Sequence, residues 1–209
     1  MPSKSQSSKT KKPVSGASKT SAKTKAISKE PTARKSAASV TKKRSSTSSK
    51  RKTTAIAGGL KVGNRAPAFS LPNEKGRMVK LSELQGKKVV LFFYPKDDTP
   101  GCTKEACSFR DGLPDMRKKG AVVFGVSADS VESHQKFSKK FELNFPLLSD
   151  ESKTTIQAYG VWKEKSMYGR KYMGIERTTV LIAKDGTISH VFPKVKVDGH
   201  FSEVLEALG

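Results

Sequence analysis

The sequence predicts an α/β domain, a central mixed β-sheet flanked by helices, preceded by a disordered basic tail. Three observations predict it. The short apolar runs Val89-Val90-Leu91-Phe92-Phe93 and Ala121-Val122-Val123-Phe124 are rich in β-branched and aromatic residues and too brief for buried helices, so they read as buried strands. Segments whose apolar residues recur at helical spacing alternate with them. The first sixty residues, by contrast, carry almost no large apolar side chain.

The tail comes first in the chain. The 209 residues have a net charge of +22, and residues 1–60 hold 16 Lys/Arg against one acid, Glu30. The remaining residues hold 25 Lys/Arg against 18 acids, an ordinary balance for one domain. A Ser/Thr/Lys/Ala segment cannot bury enough surface to offset the entropy of ordering. The expected division is therefore a tail over 1–59 and a folded domain over 60–209, with Gly58-Gly59 as a hinge. Lys42-Lys43-Arg44 and Lys50-Arg51-Lys52 resemble a bipartite nuclear localisation signal. Such clusters also bind phosphate backbones without sequence preference. The expected address is the nucleus, with a plastid, another organelle or the cytoplasm as alternatives. The partners expected of the tail are an import receptor or non-specific nucleic acid. Lys outnumbers Arg and no amphipathic pattern appears, which argues against a transit peptide. No apolar run suits a signal peptide or a membrane span, so no membrane partner is expected.

The domain then reads in order. Residues 69–72 and 78–81 flank Asn73-Glu74-Lys75-Gly76, a hairpin signal, and 82–84 form a short helical turn. A strand at 88–94 leads through a Pro-rich loop into a helix over 101–118. A second buried strand covers 121–127, and Val131, His134, Phe137 and Phe141 mark a helix over 130–141. Leu147-Leu148 is a short extended piece, followed by a helix over 153–159. Strands at 178–183 and 187–192 flank an Asp185-Gly186 turn, and 201–208 is a terminal helix. Tyr159, Trp162, Tyr168 and Tyr172 fall in a polar stretch between elements and read as core and rim packing. His134, His190 and His200 are scattered and, with two cysteines, make no zinc pattern.

Both cysteines lie in Tyr94-Pro95-Lys96-Asp97-Asp98-Thr99-Pro100-Gly101-Cys102-Thr103-Lys104-Glu105-Ala106-Cys107. Cys102 opens the helix, facing unpaired backbone N–H groups and the positive end of the helix dipole. That setting favours the thiolate and should lower the thiol pKa. Cys102 is thus a candidate nucleophile open to oxidation. The alternative is a buried structural cysteine. The charged approach loop argues for exposure, and Lys96, Asp97 and Asp98 read as solvated. Cys107, five residues on, is turned about 140° beyond a full revolution on an ideal helix, with Cα atoms about 8–9 Å apart. A disulfide needs Cα atoms within about 7 Å. Either Cys107 is a passive core residue, or the first turns unwind during a reaction.

The segment YPKDDTPGCTKEACSFRD (residues 94–111) resembles the active-site segment of peroxiredoxins, closest to the bacterioferritin-comigratory-protein or peroxiredoxin Q subgroup. The family pattern, Pro, three residues, Thr, two residues, Cys, is met by Pro95, Thr99 and Cys102. The resemblance covers about residues 60–209, including Val62-Gly63-Asn64-Arg65-Ala66-Pro67-Ala68-Phe69 and Glu176-Arg177-Thr178-Thr179-Val180-Leu181-Ile182. Ser108, where the subgroup often has Gly, and Val180, where an aromatic residue is frequent, are departures read as packing changes.

The resemblance implies a thioredoxin fold and a thiol peroxidase. It implies Cys102 as the peroxidatic cysteine, Cys107 as the resolving one, and a transient Cys102–Cys107 disulfide reduced by thioredoxin. It gives Thr99 the task of holding a peroxide oxygen, Arg177 that of stabilising charge, and Pro95 that of shielding the thiolate. It implies hydroperoxide substrates, a monomer, and no metal, haem or flavin cofactor. The residue types suit the chemistry, because charge spread over sulfur and two oxygens is stabilised by aimed donors. Arg supplies a permanent cation with a planar fork of N–H groups. The alternative function is a chromatin-associated nucleic-acid-binding protein that uses the basic tail, with the domain as redox sensor.

Overall fold

The computed structural model describes residues 60–167 and 169–209. The basic clusters of the tail and Tyr168 therefore lie outside the described residues. A five-stranded mixed sheet forms the centre, built from β3 (Lys88–Phe93), β4 (Ala121–Ser127), β5 (Leu147–Ser149), β8 (Thr178–Ile182) and β9 (Ile188–Phe192) in the order β5-β4-β3-β8-β9. β4 runs parallel to β3 and β5, whereas β8 is antiparallel to β3 and β9. The central strand β3 is buried on both faces, as a continuous apolar run requires.

Side-chain alternation along β3 divides the core. Val90 and Phe92 point into one layer, with Phe109, Leu113 and Met116 of α1 (Pro100–Lys118), Phe137 of α2 (Val131–Lys140) and Val204 of α4 (His200–Ala207). Val89, Leu91 and Phe93 point into the other, with Ile156 of α3 (Thr154–Ala158) and Leu71 of β1 (Ser70–Pro72). Strand β1 pairs with β2 (Met78–Lys80), and a 3-10 turn follows at Leu81–Leu84. These elements agree with those expected from the sequence, and the sheet flanked by helices is a thioredoxin-like fold.

α1 positions the site and is built around two awkward residues. Pro114 lies inside it and cannot donate to the carbonyl of Arg110. The Asn144 side chain donates to that carbonyl instead, at 3.2 Å. Gly112 lets α4 approach, since a Cβ there would stand 1.9 Å from the Phe201 ring.

One pair of strands was not expected. β6 (Trp162–Met167) and β7 (Arg170–Ile175) form an antiparallel two-stranded sheet where the sequence suggested only a polar connection. Five of its twelve residues are charged and most of those described are exposed, so no alternation of apolar and polar residues announces it. Tyr159 is core, its hydroxyl donating to the Pro67 carbonyl at 2.9 Å, and Trp162 is half-buried. Tyr172 and Met173 are exposed.

Candidate active site

The strand β3 ends at Phe93, and Tyr94 to Thr99 carry the chain into α1. Thr99 takes the N-cap position with extended backbone and Pro100 the first helical turn, the usual place for a proline. The Thr99 hydroxyl makes no cap bond and donates to the Lys96 carbonyl at 3.1 Å. Its oxygen remains free to accept.

Cys102 lies in the first turn of α1, with its sulfur 3.3 Å from Nη2 of Arg177. Arg177 stands between β7 and β8, and its backbone carbonyl accepts from Val195 at 2.9 Å. Its other terminal nitrogen, Nη1, pairs with Glu105 of α1. The side chains of this pair are 16 % and 2 % exposed, so it is no surface salt bridge. Gly101 fits the arrangement closely, as a Cβ there would sit 3.3 Å from Arg177 Nη2. Burial works to lower the Arg177 pKa, but the charges of Glu105 and Cys102 hold it above the ordinary arginine value. Burial pushes the Glu105 carboxyl up to about 7, against the pull of Arg177, and its Oε1 has no hydrogen-bond partner among the described residues.

Two expectations are corrected. The exposed approach loop suggested an exposed thiol, yet Cys102 is only 2 % exposed. Pro95, Lys96 and Asp98 are exposed, but the helix start that follows turns the sulfur inward under Arg177. Asp97, expected to be solvated, is buried. Its carboxylate is drawn in by donors from Tyr94, Ser133 and His134.

Of the five residues singled out from the sequence, Cys102 and Arg177 are in direct contact, and Thr99 occupies the N-cap position of the same helix without a side-chain cap bond. Pro95 lies exposed at the start of the loop. Cys107 is half-buried on the same unbroken helix, and both cysteines are free. Glu105 was missed. Its position three residues after Cys102, on the same helix face, is the signal that reveals it. Lys165 of β6 was missed with its hairpin; its ammonium donates to the Ile175 carbonyl. Burial first, then the like charge of Arg177, lowers its pKa, while Glu176 and Cys102 pull the other way.

A buried sulfur beside a guanidinium at a helix start, on this sheet, suits a thiol peroxidase of the thioredoxin-like class. The chain matches the AhpC/TSA family over residues 62–191 and belongs to that family. Within it, the chain is a peroxiredoxin of the Bcp, or peroxiredoxin Q, group. A Coxiella burnetii relative bearing the peroxiredoxin bcp name is 56 % identical over 149 residues, 71 % of this chain and 99 % of the relative. Peroxiredoxin Bcp of Bacillus subtilis is 48 % identical over 149 residues, 71 % of this chain and 95 % of its own length. The solved structure of Xanthomonas campestris peroxiredoxin Q matches with a TM-score of 0.65 at 44 % identity, covering 67 % of this chain and 89 % of that one.

These relatives overturn the nuclear address. They are bacterial proteins, from cells with no nucleus, and they include Escherichia coli and Haemophilus influenzae homologues. Two short basic clusters separated by serines are a pattern that any solvated polycationic segment produces. The chromatin-binding alternative finds no support in the comparisons either.

Proposed function

We propose that Cys102 is the peroxidatic cysteine and Cys107 the resolving cysteine of a thioredoxin-recycled peroxidase whose catalytic domain spans 60–209. The single observation that carries this reading is the 3.3 Å contact between Arg177 Nη2 and Cys102 Sγ at the start of α1. The family match over 62–191 supports the domain's extent.

The thiolate of Cys102 attacks the terminal oxygen of a hydroperoxide. The S–O bond forms as the O–O bond breaks, giving a sulfenic acid and an alkoxide or hydroxide that takes up a proton. Arg177 donates to the developing negative charge. The Thr99 hydroxyl, uncommitted as an acceptor, takes a hydrogen bond from the peroxide O–H, and Pro95 covers the loop side. The first turns of α1 then unwind, the Cys107 thiol attacks the sulfenic sulfur, and water leaves as the Cys102–Cys107 disulfide forms. A dithiol protein of the thioredoxin type restores both thiols by exchange, itself becoming the disulfide.

The test is peroxide consumption by the full chain with a thioredoxin system. Cys102→Ser is expected to abolish consumption. Cys107→Ser is expected to keep the first oxidation but lose turnover. Mass spectrometry of peroxide-treated protein should show the Cys102–Cys107 bridge; oxidation that leaves Cys107 untouched would remove it from the cycle.

A further inference from the structure

Six residues, Tyr94 to Thr99, link β3 to α1, and in the stretch after the buried Tyr94 one residue behaves unlike its neighbours. Asp97 is 6 % exposed, although its neighbours Lys96 and Asp98 face solvent. Its Oδ1 accepts from the Tyr94 hydroxyl at 2.7 Å. Its Oδ2 accepts from the Ser133 hydroxyl at 2.7 Å and faces His134 Nδ1 at 2.8 Å. A carboxylate only accepts, so the ring nitrogen facing it carries the proton. The Asp97 backbone N–H donates to Asp129 at 2.9 Å, and Asp129 in turn accepts from Ser127 at 2.8 Å. One residue thus ties the loop to the end of β3, to the end of β4 and to α2.

Two further observations show that this hold has a purpose beyond filling space. His134 is fully buried, yet its Nε2 has no hydrogen-bond partner among the described residues. A buried polar atom left unpaired is unfavourable, and an apolar residue would avoid it. Asp98 next door has φ of 54°, a left-handed backbone that a non-glycine residue keeps only where its surroundings impose it. Beyond Thr99 the grip slackens. The start of α1 has neither a side-chain cap bond nor an acidic residue in its first turn.

We propose that Asp97 is a positioning residue for the peroxide reaction: a fixed upstream anchor from which the first turn of α1 swings and to which it returns. The inference rests on the reading of Cys102 and Cys107 given above. With Asp97 held, opening is confined to residues 99–102, between that anchor and the Glu105–Arg177 pair. After each reduction the same anchor returns Cys102 to Arg177 and restores Thr99 to the helix start. Misplacement of a reacting group by about 1 Å can slow a reaction about a hundredfold.

Rapid-mixing experiments on the full-length chain separate the two steps. In Asp97→Asn the rate constant for oxidation of Cys102 by hydrogen peroxide is expected to fall at least tenfold. The first-order closure onto Cys107 should be unchanged or faster, because less must be broken to open the helix. Hydrogen exchange of the 99–102 amides should quicken in the same variant. Ser133→Ala removes one arm alone and is expected to show a smaller fall in the same direction, which covers the case of an Asp97→Asn protein that does not fold. Equal slowing of both steps, or wild-type oxidation in both variants, overturns the anchor. A wild-type chain that does not consume peroxide instead overturns the functional reading beneath it.

Discussion

Glu105 and Arg177 form a buried ion pair, with one guanidinium nitrogen on the carboxylate and the other on the Cys102 sulfur. The acid and the sulfur therefore share one cation. The pair orients the fork of Arg177, and its carboxylate also offsets part of the positive charge that the sulfur would otherwise feel.

Replacing the cation tests its aim. Arg177→Ala is expected to lower kcat/KM for hydrogen peroxide by about 10²–10³, the range seen when an aimed donor to developing charge is removed. Arg177→Lys keeps the charge but cannot serve two partners from one plane, so it should recover only a part. Equal rates for the alanine and lysine variants would show that charge at this point is immaterial.

Replacing the anion should split two observables. In Glu105→Gln the guanidinium loses its counter-charge, so alkylation of Cys102 by iodoacetamide at pH 8, where the wild-type carboxyl is ionised, should quicken. Peroxide reduction should slow, because Arg177 loses the partner that orients it. Both rates moving the same way would contradict this division of labour.

The same residue gives stability a pH dependence. The Glu105 carboxyl is raised from 4.5 to about 7, first by burial, against the opposing pull of Arg177. Between those values the folded protein holds a proton that the unfolded chain has released. Stability therefore falls as pH rises through this window, by up to about 3 kcal/mol. Urea unfolding at pH 5 and pH 8 should show the loss in the wild type and its absence in Glu105→Gln. Asp97 titrates in the opposite sense: its pKa is lowered, with burial opposing and bonds from His134 and Ser133 prevailing. Its contribution is lost only under more acidic conditions.

The unexpected hairpin adds a second cation. Lys165 donates to a neutral carbonyl, and the neighbouring acids are engaged elsewhere, Glu176 with Lys163 and Glu164 with Lys171. Lys165→Glu is expected to slow peroxide oxidation on the order of tenfold, with a deficit that shrinks as salt rises. A salt-independent deficit would point to packing of the hairpin and not to charge.

Packing of α1 has its own test. Gly112→Ala gains helix propensity of up to about 1 kcal/mol but drives a methyl into the Phe201 ring. Overpacking of this kind costs about 1–3 kcal/mol, so the variant should unfold at lower urea. Adding Phe201→Leu should return part of that loss.

Local information sufficed for the sheet strands and for Cys102. Val89 to Phe93 is an apolar run too short for a helix, and Pro100 opens α1 with the cysteine two residues on, so strand, turn, helix and nucleophile follow from neighbours in the chain. Only the tertiary structure decided the burial of Cys102 and Asp97, the pairing of Glu105 with Arg177 and the charged hairpin that brings Lys165 near them. The reason is physical. Propensity and periodicity act over a few residues, whereas burial and charge depend on partners 36 to 75 positions away, such as Ser133 for Asp97 and Arg177 for Cys102. Those partners meet only once the sheet has formed.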